Sequence, residues 1–122
     1  MQAPFWQVDG AEREVRTRDF RQVAKACATV GICLIVVPLV DHGRLESSKQ
    51  EDVLVAVLSG EATFLTEHGL RVVFESDFPP RELARFIGRL DPAVFGVNYD
   101  IGNSASLGFD PAEEMAAYGS RL

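Results

Sequence analysis

The sequence predicts an α/β fold with a parallel sheet, on three observations. The runs ICLIVVPLV (residues 32–40), LRVVFE (70–75) and FGVNY (95–99) are apolar and β-branched, and the first of them shows no alternation. Such a run is expected of a strand covered on both faces, as in a parallel sheet. Between the runs lie segments with apolar residues at three- and four-residue spacings. The two kinds of segment alternate, and the junction repeats: ATVGICLIVV and TEHGLRVVF both read helix end, glycine, strand.

Taken in order, residues 1–10 have no period, and Pro4, Phe5 and Trp6 either pack under the domain or line a cleft. Residues 11–30 read as a helix with Val15, Phe20, Val23, Ala24, Cys27 and Val30 toward the core and Gly31 at its end. After the first strand comes a polar loop, DHGRLESS, in which Ser47 or Ser48 caps a helix over residues 49–68. Glu51 and Asp52 sit in its first turn, Gly60 marks a weak point, and Gly69 closes it. The second strand follows, then Pro79 and Pro80 open a helix over residues 81–90 that buries Leu83, Phe86, Ile87 and Leu90. Residues 95–99 are the third strand, GNSASLG a loop, and residues 111–122 the last helix. The expectation is therefore three parallel strands and four helices, in the order α-β-α-β-α-β-α.

The chain has 122 residues, 47% of them hydrophobic, enough for one domain with a core of its own. Its net charge of −6, with basic residues scattered among acids (AEREVRTRDFR), is poorly suited to phosphate backbones and argues against a nucleic-acid partner. Cys27 and Cys33 lack CxxC spacing and read as small core residues in a reducing compartment. MQAPFWQVDG has no signal-peptide pattern, and the longest apolar run, interrupted by Pro38, is too short to span a bilayer. The cytoplasm is the expected location, without membrane association.

In parallel α/β folds, functional residues gather at the carboxyl ends of strands. Three acids stand there: Asp41, Glu75 and Asp100. Such carboxylates can bind a hard or borderline divalent cation, or take a proton next to a carbonyl. Asp41 reads better as a cap or turn former, and Asp77, just before Phe78-Pro79-Pro80, as a helix cap. Glu75 is a poor cap and follows Val72-Val73-Phe74 directly. Asp100 shares its side of the strand with Asn98 by two-residue alternation, and two polar groups there need a reason. His42 and His68 fall in no metal-binding spacing, with His68 placed to end a helix; no phosphate-binding glycine motif and no serine triad are evident.

Three segments carry a resemblance: IVVPLVD (35–41), VVFESDFPP (72–80) and above all VNYDIGNSASLGFDPAEEMAAYG (97–119). They resemble the sugar phosphate isomerase/epimerase family, the xylose isomerase-like TIM barrels whose superfamily also includes apurinic endonucleases. That resemblance implies a (β/α)₈ barrel with one divalent metal (Mn, Mg, Co or Zn) at its carboxyl face. Its ligands follow the fifth to eighth strands as Glu, Asp, His and Glu, and the two glutamates move protons between adjacent carbons of a ketose. Glu75 then matches the fifth-strand ligand and catalytic base, and Asp100 the sixth-strand ligand. Asn98, Asn103 and Trp6 become residues that face the substrate or support the ligands. A full barrel takes about 250 residues, so residues 1–122 are expected to form a partial barrel holding half of the ligand set. The expected partner is a small carbohydrate or sugar phosphate, and a homo-oligomer is left open. The alternatives are an inactive barrel remnant and an endonuclease of the same superfamily, the latter disfavoured by the acidic charge.

Overall fold

The periodic segments fold where their spacing predicts, with ends moved by a few residues. In the computed structural model, which describes residues 2–122, helix α1 spans Gly10–Thr29, strand β1 Leu34–Leu39 and helix α2 Ser48–Glu67. Strand β2 (Arg71–Ser76), helix α3 (Pro80–Ile87) and strand β3 (Phe95–Val97) follow, then helices α4 (Ile101–Ser106) and α5 (Pro111–Tyr118). Short 3-10 turns lie at Phe5–Gln7, Asp41–Gly43 and Gly119–Arg121. The described residues thus hold five α-helices rather than four, because the stretch expected as a loop after Asp100 is helical. Gly31 and Gly69 end α1 and α2 with φ of +80° and +65°, a region open to glycine at little cost. Helix α2 runs through Gly60 without a break, and the Ser47 hydroxyl caps it by accepting from the Gln50 amide at 3.2 Å.

The three strands are parallel, in the order β1-β2-β3. The register pairs Val37 with Phe74 and Phe74 with Val97, so one face carries Val37, Leu39, Val72, Phe74, Phe95 and Val97, all buried. Helices α2 and α3 cover that face with Leu54, Leu58, Leu65, Leu83, Phe86 and Ile87. Phe74 stands at its centre, edge-on to Phe86 at 5.2 Å and stacked on Phe95 at 6.4 Å.

The opposite face carries Leu34, Val36 and Pro38 on β1, Arg71, Val73 and Glu75 on β2, and Gly96 on β3. Cover on both faces was expected of β1, from its unbroken apolar run. Instead the centres of β2 and β3 are the covered ones, and on β1 Leu34 is 47% and Val36 45% exposed. The reason is cover: the last turn of the chain lies against β3, an edge strand like β1, whereas Leu34 and Val36 lack such cover among the described residues. At β3 the last turn of the chain comes in close. The Arg121 carbonyl lies 2.5 Å and the Arg71 guanidinium 2.9 Å from where a Cβ on Gly96 would stand, so any side chain there would force them apart.

Helix α1 also departs from expectation. Ala24 is buried and Phe20 and Cys27 pack on the core, but Val15, Val23 and Val30 are exposed. The helix docks by a narrow stripe, reinforced where Arg21 makes two hydrogen bonds to Glu61 of α2, at 2.8 and 2.9 Å, and lies over the Phe64 ring. Cys33, expected in the core, is exposed; both cysteines are free thiols.

Glu51 is nearly buried between α2 and α3. It accepts two hydrogen bonds from Arg85, at 2.7 and 2.8 Å, and one from Arg89 at 2.6 Å. Arg89 also reaches Asp52 at 2.7 Å. The bonds from Arg85, then those from Arg89, hold the Glu51 carboxyl below its ordinary 4.5 against the opposing effect of burial. A carboxyl depressed in the folded state stabilises the fold above its unfolded pKa, and that contribution is lost as pH falls through the folded value. Glu51→Gln should therefore be less stable than the parent near neutral pH and show a flatter decline below pH 4.5. Urea unfolding midpoints across the acid range measure this; parallel declines would contradict it.

Candidate functional site

The ladder between β2 and β3 sets the site. Beyond the Phe74–Val97 pair, the Asn98 amide still donates to the Phe74 carbonyl at 2.9 Å. Asn98 thus comes level with Glu75 on the face opposite the helices, and Glu75 in turn pairs with Pro38 of β1. The chain then turns at Asp100, whose Oδ1 accepts from the Asn103 amide at 2.9 Å and caps α4. Glu75, Asn98, Asp100 and Asn103 border one narrow cleft at the carboxyl ends of β2 and β3, which Val97, Tyr99, Leu83 of α3 and Tyr118 of α5 also line. Its free space, about 10 Å³, is the room of one water.

Helix α4 has six residues, too few to be stable alone, and Gly102, Asn103 and Ser104 are weak helix formers. Tertiary bonds hold it. The Asn103 Nδ2 donates to Asp77 Oδ1 at 3.1 Å, and the Ser104 hydroxyl donates to Glu114 Oε1 at 2.6 Å. Asp77 is therefore not the helix cap that its place before Phe78-Pro79-Pro80 suggests. Helix α3 starts at Pro80 without a side-chain cap, since its N-cap position is Pro79, which has no side-chain acceptor, and Pro80 itself has no amide hydrogen to satisfy. Freed from that role, Asp77 also pairs with Arg44 at 2.9 Å, tying together the loops after β1, β2 and β3.

Glu114, on α5, was not distinguished in the sequence from the ordinary acids of a helix start. It is 1% exposed and accepts from three hydroxyls: Tyr99 at 2.9 Å, Ser104 at 2.6 Å and Tyr118 at 2.9 Å. Burial, and next Glu114, push the Tyr118 phenol above its ordinary 10; the bond to Glu114 does the same for Tyr99. One signal was available in the sequence: Glu114 and Tyr118 are four apart, so they share the buried side of α5.

Trp6 is 6% exposed, edge-on to Phe5 at 5.0 Å, and its indole donates to the Gly43 carbonyl at 3.2 Å. Packing and cleft lining, posed as alternatives, are both realised. Trp6 also borders an open cavity of about 600 Å³ with Gln7, Pro38, Asp41, His42 and Glu46. Pro38 of this cavity is the register partner of Glu75 of the cleft, though cavity and cleft share no lining residue. Gly43 must be glycine, because a Cβ there would strike the Pro38 carbonyl. Asp41 serves as a turn residue with φ of +50°, a conformation that Asp tolerates better than most residues. His68 ends α2, its Nδ1 bonded to the Phe64 carbonyl at 2.8 Å.

Glu75 makes no hydrogen bond or ion pair among the described residues, and Asp100 has one carboxylate oxygen beyond its cap bond. Two oxygen donors of this kind suit a hard or borderline divalent cation. No three His, Cys, Asp or Glu side chains converge as metal ligands among the described residues.

Over residues 2–122 the sequence matches the family described as xylose isomerase-like TIM barrel. The chain belongs to this family. Among solved structures it is similar to a xylose isomerase domain protein from Planctomyces limnophilus, with a TM-score of 0.73 and 20% identity. That likeness covers 98% of this chain and 42% of the other, so the chain spans under half the length of that protein. No curated protein matches the sequence. The three parallel strands are accordingly part of a TIM barrel, with the cleft at the end where such barrels hold their active sites. No helix among the described residues is long and apolar enough to cross a membrane.

The hydroxyl cluster behind the cleft has a direct spectroscopic readout, since Tyr99 and Tyr118 are the two tyrosines of the chain. Ultraviolet titration of the folded protein should show phenolate forming only above the ordinary value of 10. Glu114→Ala should bring the transition down and cost about 2–4 kcal/mol, by leaving buried hydroxyls without an acceptor. Half-ionised tyrosines at pH 10 in the parent chain would contradict the arrangement.

Proposed function

We propose that this chain is part of a metal-dependent isomerase or epimerase acting on a sugar or sugar phosphate, with Glu75 as metal ligand and proton-transferring base and Asp100 as second ligand. One observation carries the reading: Glu75, whose carboxylate has no partner among the described residues, and Asp100, which keeps one oxygen beyond its cap bond, border the same cleft at the carboxyl ends of parallel strands. The three carboxylates buried deepest each have partners: Glu51 and Glu61 have arginines, and Glu114 has three hydroxyls. Glu75 is partly covered and has none, which is expected of a group reserved for a ligand or a proton.

A bound Mn²⁺, Mg²⁺, Co²⁺ or Zn²⁺ would polarise a carbonyl or hydroxyl oxygen of the substrate. Glu75 takes the proton from the carbon beside the carbonyl and returns one to the neighbouring carbon, or to the opposite face of the same carbon. Asn98 and Asn103 offer amide groups to substrate hydroxyls at the cleft, and the cavity beside Trp6 has room for the rest of the sugar. The carboxylates around the cleft and the net charge of −6 disfavour a nucleic-acid substrate.

A second reading, a barrel segment without catalysis, is favoured by the incomplete ligand set among the described residues. Titration with Mn²⁺, followed through the electron paramagnetic resonance signal of the free ion, separates the two. The proposal predicts weak binding to the chain, and a loss of about tenfold or more (~1.4 kcal/mol) in Glu75→Gln and in Asp100→Asn. Unchanged affinity in both variants would remove these residues from a metal site.

A further inference from the structure

Asp100 does not stand alone: it ends a bonded chain across three βα loops. The Arg44 Nη2 meets Asp77 Oδ2 at 2.9 Å, Asn103 Nδ2 donates to Asp77 Oδ1 at 3.1 Å, and the Asn103 amide donates to Asp100 Oδ1 at 2.9 Å. Asn103 is thus bonded on both sides, by its side chain to one carboxylate and by its backbone to the other. Helix α4, of six residues and weak propensity, is too short to fix that amide by itself.

From this geometry we infer that Asp77 is a positioning residue, which sets the aim of the Asp100 carboxylate by holding Asn103. The inference rests on Asp100 being a metal ligand, as proposed above. Ligating carboxylates are commonly oriented by such outer partners, whose loss costs about 10–100-fold in metal affinity. Arg44 contributes by fixing Asp77 in turn. Its side chain is 56% exposed against 23% for Asp77, and Asp100 at the other end is again exposed, so Asp77 and Asn103 are the more covered middle of the chain. Asp77 has no other assignment in the fold: it neither caps α3 nor enters the core.

The test is a set of Mn²⁺ titrations on the whole chain, with the paramagnetic resonance spectrum of the bound ion as a second readout and thermal melting as the check on folding. Asp77→Ala removes the acceptor for Asn103 and should weaken Mn²⁺ binding about tenfold and alter the bound-ion spectrum. Asp77→Asn keeps an amide oxygen in the same place and should hold affinity within about threefold of the parent. Asn103→Ala cuts the same link from the other side and should match Asp77→Ala. Equal losses in Asp77→Ala and Asp77→Asn would overturn the inference, because charge rather than the bond to Asn103 would then matter. So would parental affinity in Asp77→Ala while Glu75→Gln and Asp100→Asn bind poorly, a result that leaves the metal site standing. Failure of the site itself has a different signature: parental affinity in Glu75→Gln and Asp100→Asn.

Discussion

The register between β2 and β3 is the constraint on which the site depends. Pairing Phe74 with Val97, and extending the ladder through the Asn98 amide, puts Glu75 and Asn98 on the face away from the helices and leaves Asp100 to turn into α4. A slip by one residue would exchange the two faces of a strand. The slip is opposed by Phe74, fully buried against Phe86 and Phe95, and by Gly96, where the Arg121 carbonyl and the Arg71 guanidinium leave no room for a side chain. The apolar core and the placement of the acids are thus one requirement seen from two faces of the sheet.

Around that frame the polar groups fall into two kinds. Glu51, Glu61 and Glu114 are buried and satisfied, and they join helices to each other or to the loop after β3. A buried carboxylate without partners is costly, so these bonds are conditions of folding as much as additions to stability. Glu75 and the second oxygen of Asp100 are of the other kind, at the border of the cleft and without a partner among the described residues. Asp77 and Asn103 stand between the two: they add little to the core, but they connect the loops at the end of the barrel where chemistry takes place.

Much of the fold was legible in the sequence because it rests on period and on glycine. The strands, the long helices, the glycine ends at Gly31 and Gly69 and the buried face of α3 follow from spacing. Helix α4 was not legible, since GNSAS lacks helix propensity and needs, besides the Asp100 cap, bonds to Asp77 and Glu114, distant in sequence or on another element. The exposed valines of α1 show the converse limit: spacing marks an apolar stripe but not what covers it. At the site, Glu75 and Asp100 stood out as acids at the ends of apolar runs; Glu75 keeps no partner among the described residues, but Asp100 has the local role that its place in the sequence had not suggested, the cap of α4. Glu114 and Asp77 did not stand out, because an acid at a helix start or before a proline pair has an ordinary explanation, and only the tertiary structure replaces it.

The central claim is that Glu75 and Asp100 form one side of a divalent-metal site. Anomalous diffraction from crystals of the chain grown with Mn²⁺, recorded near the manganese edge, locates the ion without reference to activity. The account predicts a peak at the cleft, within coordinating distance of the Glu75 carboxylate and of the Asp100 oxygen that does not cap α4. A peak instead at the cavity bordered by Asp41, His42 and Glu46, with none at the cleft, would contradict it.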